Sequence, residues 1–233
     1  MKLVLFDVDG TLVDTAGAGR RSFERAFERV FGVERVGART GEIRFAGMTD
    51  GGLLQRLAAA LDVPPERLER SRESLVRAYL EELAAELARP DPRRRALAGV
   101  PELLRALEGR PDLHLGLLTG NLEPGARLKL EPFGLNRFFR GGGFGSDHLD
   151  RREIARLAVE KLSAALGRPF ERSQVVVVGD TEHDVDCARA QGFRAVAVES
   201  GWAARALLEA SRPDALLPDL ADLPRTLAAL GVD

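Results

Sequence analysis

Residues 3–15 read LVLFDVDGTLVDT and hold the strongest signal in the sequence. The apolar run 3–6 ends at Asp7, and Asp9 follows two residues later, just before Gly10. A short apolar run bounded by Asp and Gly is typical of a buried strand. Because open α/β sheets bind ligands at the carboxyl ends of their strands, we expect both carboxylates to lie at a ligand site.

Two carboxylates at the end of a buried strand are costly to hold together without a cation. The pair therefore predicts a metal-assisted site in which one carboxylate attacks and the other moves protons. Taken alone, Asp-x-Asp-Gly is equally typical of an Asx-rich turn. A calcium loop of the EF-hand type is excluded, because Leu12 and Ala18 occupy the positions where that loop requires Gly and Glu.

Further apolar runs follow along the chain, with helical patterns between them. Strand-like runs lie near 3–6, 113–118, 175–178, 194–198 and, more weakly, 214–217. Helical patterns lie at 100–108, 124–132, 152–166, 183–191, 202–210 and 219–230. Strands that alternate with helices predict an α/β fold with a doubly wound, Rossmann-like parallel sheet. The run VVVV at 175–178 has no alternation, as expected of a strand buried on both faces.

Residues 16–90 break this rhythm, because they show helical periodicity without a clear strand. The helical patterns lie at 18–31, 50–61 and 65–88. We interpret the segment as an all-helical domain inserted into a core formed by residues 1–15 and 91–233. Its linkers would lie near 14–18 and 88–98.

Composition narrows the class of protein. The chain has 233 residues and a net charge of −2, which argues against a general nucleic-acid binder. Hydrophobic residues make up 45%, enough for a sizeable core. Cys187 is the single cysteine, and no apolar stretch has the length of a membrane span. We therefore expect a cytoplasmic protein with no membrane partner. We also expect a monomer or a homodimer.

Two downstream segments repeat the pattern of a strand followed by polar residues. LHLGLLTGN at 113–121 supplies Thr119, and VVVVGDTEHD at 175–184 supplies Asp180 and Asp184. With the opening segment, they resemble the second, fourth and first motifs of the haloacid dehalogenase-like hydrolases, in the form carried by the phosphatases. Both the order of the motifs and their strand–loop placement match that family.

The resemblance implies roles for the acidic residues. Asp7 would be the nucleophile that forms an aspartyl-phosphate, and Asp9 would donate a proton to the leaving alcohol and later accept one from water. Mg²⁺ would be the cofactor, held by Asp7, by the backbone carbonyl of Asp9, and by Asp180 and Asp184. Helix N-capping is the alternative interpretation of Asp180.

The residues at the end of the second motif could bind a phosphate group. Thr119 would offer its hydroxyl, and Gly120 and Asn121 their backbone N–H groups, to the phosphoryl oxygens. An ordinary strand-to-helix turn explains these three residues equally well when they are taken alone.

The sequence departs from the family at the third motif. A Lys normally precedes the helix before the fourth motif, but FGSDHLDRREIARLA at 144–158 has none. Arg151 and Arg152 fall closest to the expected place, and either could supply a cation to the phosphate and the nucleophile. We favour Arg151; a pair of solvated arginines is the alternative. Lys129 falls too early for this role, and Lys161 falls too late.

The resemblance also implies that the inserted domain is a helical cap that closes over the active site. Polar residues of this cap that could contact the substrate are Arg20, Arg44 and Thr49, although charged helix faces are usually only solvated.

The expected activity is that of a Mg²⁺-dependent phosphatase acting on a small phosphorylated metabolite. The overall organisation resembles the phosphoglycolate phosphatase-like members of the family, so a phosphoglycolate-like substrate is one candidate. A phosphomutase similar to β-phosphoglucomutase and a non-enzymatic phosphate-binding relative stay open as alternatives. A halide-releasing dehalogenase is disfavoured, because such members of the family lack an acid where Asp9 stands.

Overall fold

The computed structural model describes residues 1–232 and has a parallel β-sheet at its centre. The strands are β1 (Lys2–Phe6), β2 (Val13–Asp14), β3 (Arg95–Ala96), β4 (Leu113–Leu118), β5 (Gly142–Gly143), β6 (Val175–Gly179), β7 (Arg194–Val198) and β8 (Ala215–Leu217). The helices are α1 (Ala18–Phe31), α2 (Val36–Thr40), α3 (Asp50–Ala60), α4 (Pro65–Ala88), α5 (Val100–Leu107), α6 (Glu123–Leu130), α7 (Arg151–Leu166), α8 (Glu182–Ala190), α9 (Arg205–Ser211) and α10 (Leu223–Leu230). None of the helices that the structure describes combines the length and apolar character that a bilayer crossing requires.

The main sheet has the strand order β5-β4-β1-β6-β7-β8, and every neighbouring pair is parallel. β1 lies between β4 and β6, with Phe6 opposite both Leu117 and Val178. The residues that follow these three strands therefore meet at one edge of the sheet, where α/β sheets of this kind bind ligands. The predicted α/β fold with a parallel sheet is confirmed.

Helices cover both faces of this sheet, as a doubly wound fold requires. Val4 and Val176 pack with residues of α5, α6 and α10, whereas Leu3 and Val177 pack with residues of α7 and α8. All four side chains are at most 1% exposed. Burial on both faces explains why the central strands read as continuous apolar runs in the sequence.

Helices α1 to α4 lie between β2 and β3 in the sequence, and their apolar side chains form a cluster separate from the core around the main sheet. Phe23 of α1 stacks on Tyr79 of α4, with ring centroids 3.8 Å apart, and Phe27 and Leu57 are buried beside them. These helices are the inserted all-helical cap of the predicted fold class. The proposed domain boundaries, after residues 15 and 90, stay a prediction.

The two linkers of the cap pair with each other, which the sequence did not predict. β2 and β3 are antiparallel, with Val13 opposite Ala96 and Asp14 opposite Arg95. Asp14 and Arg95 also form an ion pair at 3.2 Å. Strands of two residues are too short to show an alternating pattern, and the five-residue α2 is too short to show a helical one, so neither could be read from periodicity.

The hydroxyl of Tyr79 is buried and has no hydrogen-bond partner among residues 1–232. Leaving a buried hydroxyl unsatisfied costs about 1–3 kcal/mol. Tyr79→Phe keeps the stacked ring and removes the hydroxyl, so we expect the free energy of unfolding to rise by ~1 kcal/mol in urea titrations. Phe23→Leu, which removes the stacking partner instead, should lower it. A loss of stability in Tyr79→Phe would mean that the hydroxyl is satisfied in solution.

Candidate active site

Three loops bring polar side chains together at the carboxyl edge of the sheet. Asp7 follows β1, Thr119 follows β4 and Asp180 follows β6, and the three residues are 6%, 1% and 1% exposed. The Asp7 N–H donates to the Val178 carbonyl at 2.9 Å, and the Thr119 N–H donates to the Gly143 carbonyl at 3.0 Å. The sheet ladder thus continues into the loops and holds these residues in position.

Asp7, Asp180 and Asp184 form what we call the carboxylate cluster. One carboxylate oxygen from each lies within 4.8 Å of the others, and all three residues are buried. Burial raises the pKa of Asp7 to about 7, and the charge of Asp184 adds to the effect. Burial and the charge of Asp7 likewise raise the pKa of Asp180. Three hard oxygen donors in a volume with excess negative charge fit a divalent cation such as Mg²⁺.

Glycines let the backbone approach the Asp180 carboxylate closely. A Cβ on Gly10 or Gly201 would collide with this carboxylate, and Gly10 also has a φ of 79°. The Thr11 hydroxyl donates to Asp180 Oδ1 at 3.5 Å, and the Trp202 N–H donates to Oδ2 at 3.2 Å. The glycine of Asp-x-Asp-Gly therefore serves the second acidic loop as well as its own turn.

Arg151, the first residue of α7, reaches the carboxylate cluster. Its Nη2 lies 3.7 Å from Asp7 Oδ1 and donates to Asp184 Oδ1, and its side chain is 10% exposed. Burial opposes the charged guanidinium, but Asp184 and Asp7 raise the pKa of Arg151 above its ordinary value. Asp184 is itself held by Thr181, whose N–H and hydroxyl donate to Oδ2 at 3.0 and 2.7 Å. A buried cation thus lies beside the expected nucleophile.

Arg152, which the sequence analysis predicts to contact the substrate, does not reach the carboxylate cluster. Its guanidinium donates to Asp186 at 2.8 and 3.0 Å, and its side chain is 54% exposed. Consecutive residues of a helix are about 100° apart around the axis, so only one arginine of the pair can face the cluster.

A second cation, Lys129, also lies at the site. Its Nζ lies 2.6 Å from Asp9 Oδ2 and 2.6 Å from Asn121 Oδ1, and its side chain is 6% exposed. The Asn121 amide donates to Asp9 Oδ2 and to the Thr119 hydroxyl oxygen, both at 2.8 Å. Lys129 lies in α6, eight residues after Asn121 in the sequence. Because helical side chains lean toward the helix N-terminus, its long side chain reaches back to the loop that contains Asn121.

The position of Lys129 in the sequence excludes it only as the cation of the third motif, and a different role for this side chain gives no local pattern. The signal that could have found it is the rarity of lysine: the chain has three, at Lys2, Lys129 and Lys161. A lone lysine in the helix that follows a phosphate-binding loop is a candidate for the site.

A cavity of about 670 Å³ lies between the core and the cap. Core residues that line it include Asp7, Asp9, Thr119, Gly120, Asn121, Lys129, Arg151 and Asp180. Arg20 and Arg44 line it from the cap. The guanidinium of Arg20 is engaged within the cap, where it donates to Glu24 and to the carbonyls of Thr40 and Ile43. Arg44 instead pairs across the cleft with Glu182 at 3.0 Å.

The start of α3 touches the loop after β4. The Thr49 hydroxyl accepts from the Gly52 N–H at 3.2 Å and donates to the Leu149 carbonyl at 3.3 Å, so it caps the helix and does not line the cavity. The next residue, Asp50, was not predicted: its N–H donates to the Gly120 carbonyl at 2.7 Å, and its Oδ2 accepts from the Leu122 N–H at 2.8 Å. Burial raises the pKa of Asp50 to about 6.

Known proteins are similar to this chain in sequence and in fold. The chain is 28% identical over 240 residues to a phosphoglycolate phosphatase of Mesorhizobium japonicum, covering 98% of each chain. It is 30% identical over 230 residues to a phosphoglycolate phosphatase of Pseudomonas savastanoi, covering 95% of this chain and 78% of that protein. The crystal structure of CbbY from Rhodobacter sphaeroides in complex with phosphate shares the fold, with a TM-score of 0.74 and 23% identity over the full length of both chains.

The model of the family described as haloacid dehalogenase-like hydrolase matches residues 4–189, a range that includes the loops after β1, β4 and β6. The predicted resemblance is thereby confirmed, and the chain belongs to the haloacid dehalogenase-like hydrolase family, in its phosphatase branch.

Proposed function

We propose that this protein is a Mg²⁺-dependent phosphatase that hydrolyses a small phosphorylated metabolite through an aspartyl-phosphate intermediate. The observation that carries the proposal is the buried carboxylate cluster, which opens on a cavity that also contains Asp9 and Arg151. A nucleophile, an acid–base group and a fixed cation are the parts that such a displacement requires.

The first half of the reaction transfers the phosphoryl group to the enzyme. A carboxylate oxygen of Asp7 attacks phosphorus, the bond from phosphorus to the ester oxygen breaks, and the carboxyl of Asp9 gives its proton to the departing alcohol. Arg151, 3.7 Å from Asp7, reduces repulsion between the nucleophile and the anionic substrate. Thr119, Gly120 and Asn121 border the same cavity and would bind the phosphoryl oxygens.

The second half releases phosphate and restores the enzyme. Water attacks the phosphorus of the intermediate, Asp9 accepts the proton of that water, and the bond between phosphorus and Asp7 breaks. Asp7, Asp180 and Asp184, with the backbone carbonyl of Asp9, would hold Mg²⁺. The bound cation supplies positive charge that offsets repulsion among the carboxylates and the phosphate.

The cavity of about 670 Å³ between the core and the cap supports a small substrate over a phosphoprotein, since residues of the cap line it opposite the carboxylates. The names of the relatives make phosphoglycolate the first candidate to test. Among the cap residues predicted to contact the substrate, we keep Arg44, which lines the cavity and has a side chain 46% exposed. Arg20 and Thr49 are committed to contacts that stabilise the cap and its junction with the core.

Asp7→Asn tests the nucleophile directly. We expect Mg²⁺-dependent phosphate release from 4-nitrophenyl phosphate, and from a metabolite panel that includes phosphoglycolate, to fall by ~10³-fold or more, because an amide cannot form the intermediate. Phosphate release is measured with and without Mg²⁺. Asp62→Asn, which changes a carboxylate that is 88% exposed, should leave the rate unaltered. Full activity in Asp7→Asn would refute the proposed mechanism.

The adjacent arginines offer a matched comparison for the missing lysine of the third motif. We expect Arg151→Met to lower kcat/KM by ~10²-fold or more, because a fixed positive charge beside the nucleophile is lost. Arg152→Met removes the same charge one residue later, from a side chain paired with Asp186, and should leave kcat/KM nearly unchanged. Equal effects of the two substitutions on initial rates would argue against the role of Arg151.

The carboxylate cluster also predicts how Mg²⁺ and pH act on stability. The pKa of Asp7 is raised to about 7 from 3.8, so its contribution to the stability of the metal-free protein is fully present below about pH 4 and is lost as the pH rises to about 7. Protons compete with the cation over the same range. We therefore expect Mg²⁺ to raise Tm more at pH 8 than at pH 5, with a stabilisation of about 2.7 kcal/mol at 100 times its Kd.

Thermal unfolding in EDTA and in Mg²⁺ measures this difference without an activity assay. Asp180→Asn should abolish most of the gain in Tm, whereas Asp62→Asn should retain it. An equal gain in Tm at both pH values would contradict a site in which these carboxylates bind the cation.

A further inference from the structure

Lys129 is a buried charge that the proposed mechanism does not use. Its ammonium is 2.6 Å from both Asp9 Oδ2 and Asn121 Oδ1. Burying an ammonium is costly unless it is paired and hydrogen-bonded. The two short contacts meet that requirement, so the lysine and the Asp9 carboxylate hold each other in place.

The hydrogen bonds to Asp9 are unevenly distributed between its two oxygens. Oδ2 accepts from Lys129 Nζ at 2.6 Å and from Asn121 Nδ2 at 2.8 Å. For Oδ1, no hydrogen bond to another side chain or to the backbone occurs within residues 1–232. Two donors directed at Oδ2 disfavour a proton on that oxygen, because the proton would point at a donor hydrogen. A proton carried by Asp9 therefore belongs on Oδ1.

We propose that Lys129 is a positioning residue that, with Asn121, holds Oδ2 of Asp9 and leaves Oδ1 as the oxygen that exchanges the proton. This inference rests on the proposed function, in which Asp9 is the acid and base. When the ester bond breaks, its electron pair goes to the leaving oxygen, and the proton on Oδ1 moves to that oxygen. When water later attacks, its proton returns to Oδ1.

The cap packs against the end of the Lys129 side chain. A Cβ on Gly19 of the cap would lie 3.2 Å from Nζ and 3.4 Å from Cε, so the first turn of α1 covers the end of the lysine. The charge of Lys129 also lowers the pKa of Asp50, in opposition to the effect of burial. A structural role at this junction is the competing explanation, and it makes a different kinetic prediction.

The distinguishing measurement is the dependence of kcat/KM on the leaving group. Phenyl phosphate and 4-nitrophenyl phosphate are of similar size, but nitrophenolate departs without a proton far more readily than phenolate. Since kcat/KM reports the steps up to departure of the alcohol, loss of Asp9 positioning should affect phenyl phosphate most. We expect Lys129→Met to lower kcat/KM ~10-fold more for phenyl phosphate than for 4-nitrophenyl phosphate.

Two further variants separate the failure of this inference from failure of the proposed function. We expect Asp9→Asn also to lower kcat/KM more for phenyl phosphate than for 4-nitrophenyl phosphate. If kcat/KM of Asp9→Asn instead falls equally for both substrates, the proposed role of Asp9 as the acid is refuted. If Asp9→Asn is selective and Lys129→Met is not, only the positioning role of Lys129 is overturned.

Matched lysine variants complete the design. Lys161→Met alters a lysine with a side chain that is 48% exposed and paired with Asp147, and it should leave both rates unchanged. Thermal unfolding shows whether Lys129→Met is folded. If it is not, Lys129→Gln, which keeps a hydrogen-bond donor but not the charge, serves as the second variant. Selective loss with phenyl phosphate in either folded variant supports the inference, and an equal loss of both substrates overturns it.

Discussion

Repulsion among three buried carboxylates is the constraint on which the rest of this structure depends. Arg151 contributes one positive charge to the carboxylate cluster, which leaves an excess of negative charge where water cannot screen it. Burial, together with the charge of the neighbouring carboxylates, raises the pKa values of Asp7 and Asp180. A fold built for stability alone would not gather these groups, since unpaired buried charge is among the costliest features of a protein interior. The parallel sheet enforces the gathering, because adjacent strands end at the same edge.

Close approach of backbone to side chain is the second requirement of the site, and glycine meets it. Gly10 and Gly201 admit the Asp180 carboxylate, and Gly120 admits the carbonyl of Met48 from the cap. Each of these positions lacks the volume for a Cβ. Glycines at such places conserve space around the reacting groups, and the contact at Gly120 extends that close approach from the core to the cap.

The sequence predicted what depends on local pattern and missed what depends on distance in space. The central strands and the acids that end them were found, because apolar runs and the residues bounding them lie together in the sequence. Asp50 and Lys129 were missed because each reaches the loop after β4 from another element, one from the cap and one from the far end of α6. The sequence favoured Arg151 over Arg152, but it could not show the physical reason, which is that the two side chains point in different directions around the axis of α7.

Two cations divide the charges of the site between them. Arg151 contacts Asp7 and Asp184, on the side of the expected nucleophile, whereas Lys129 contacts Asp9, the expected acid and base. A planar guanidinium can bridge two carboxylates, and a compact ammonium on a flexible stem can fit under the first turn of a helix. The loss of the usual third-motif lysine is therefore not a loss of positive charge. The arginine supplies the cation at the expected helix start, and the lysine is free to hold a different carboxylate from a helix earlier in the chain.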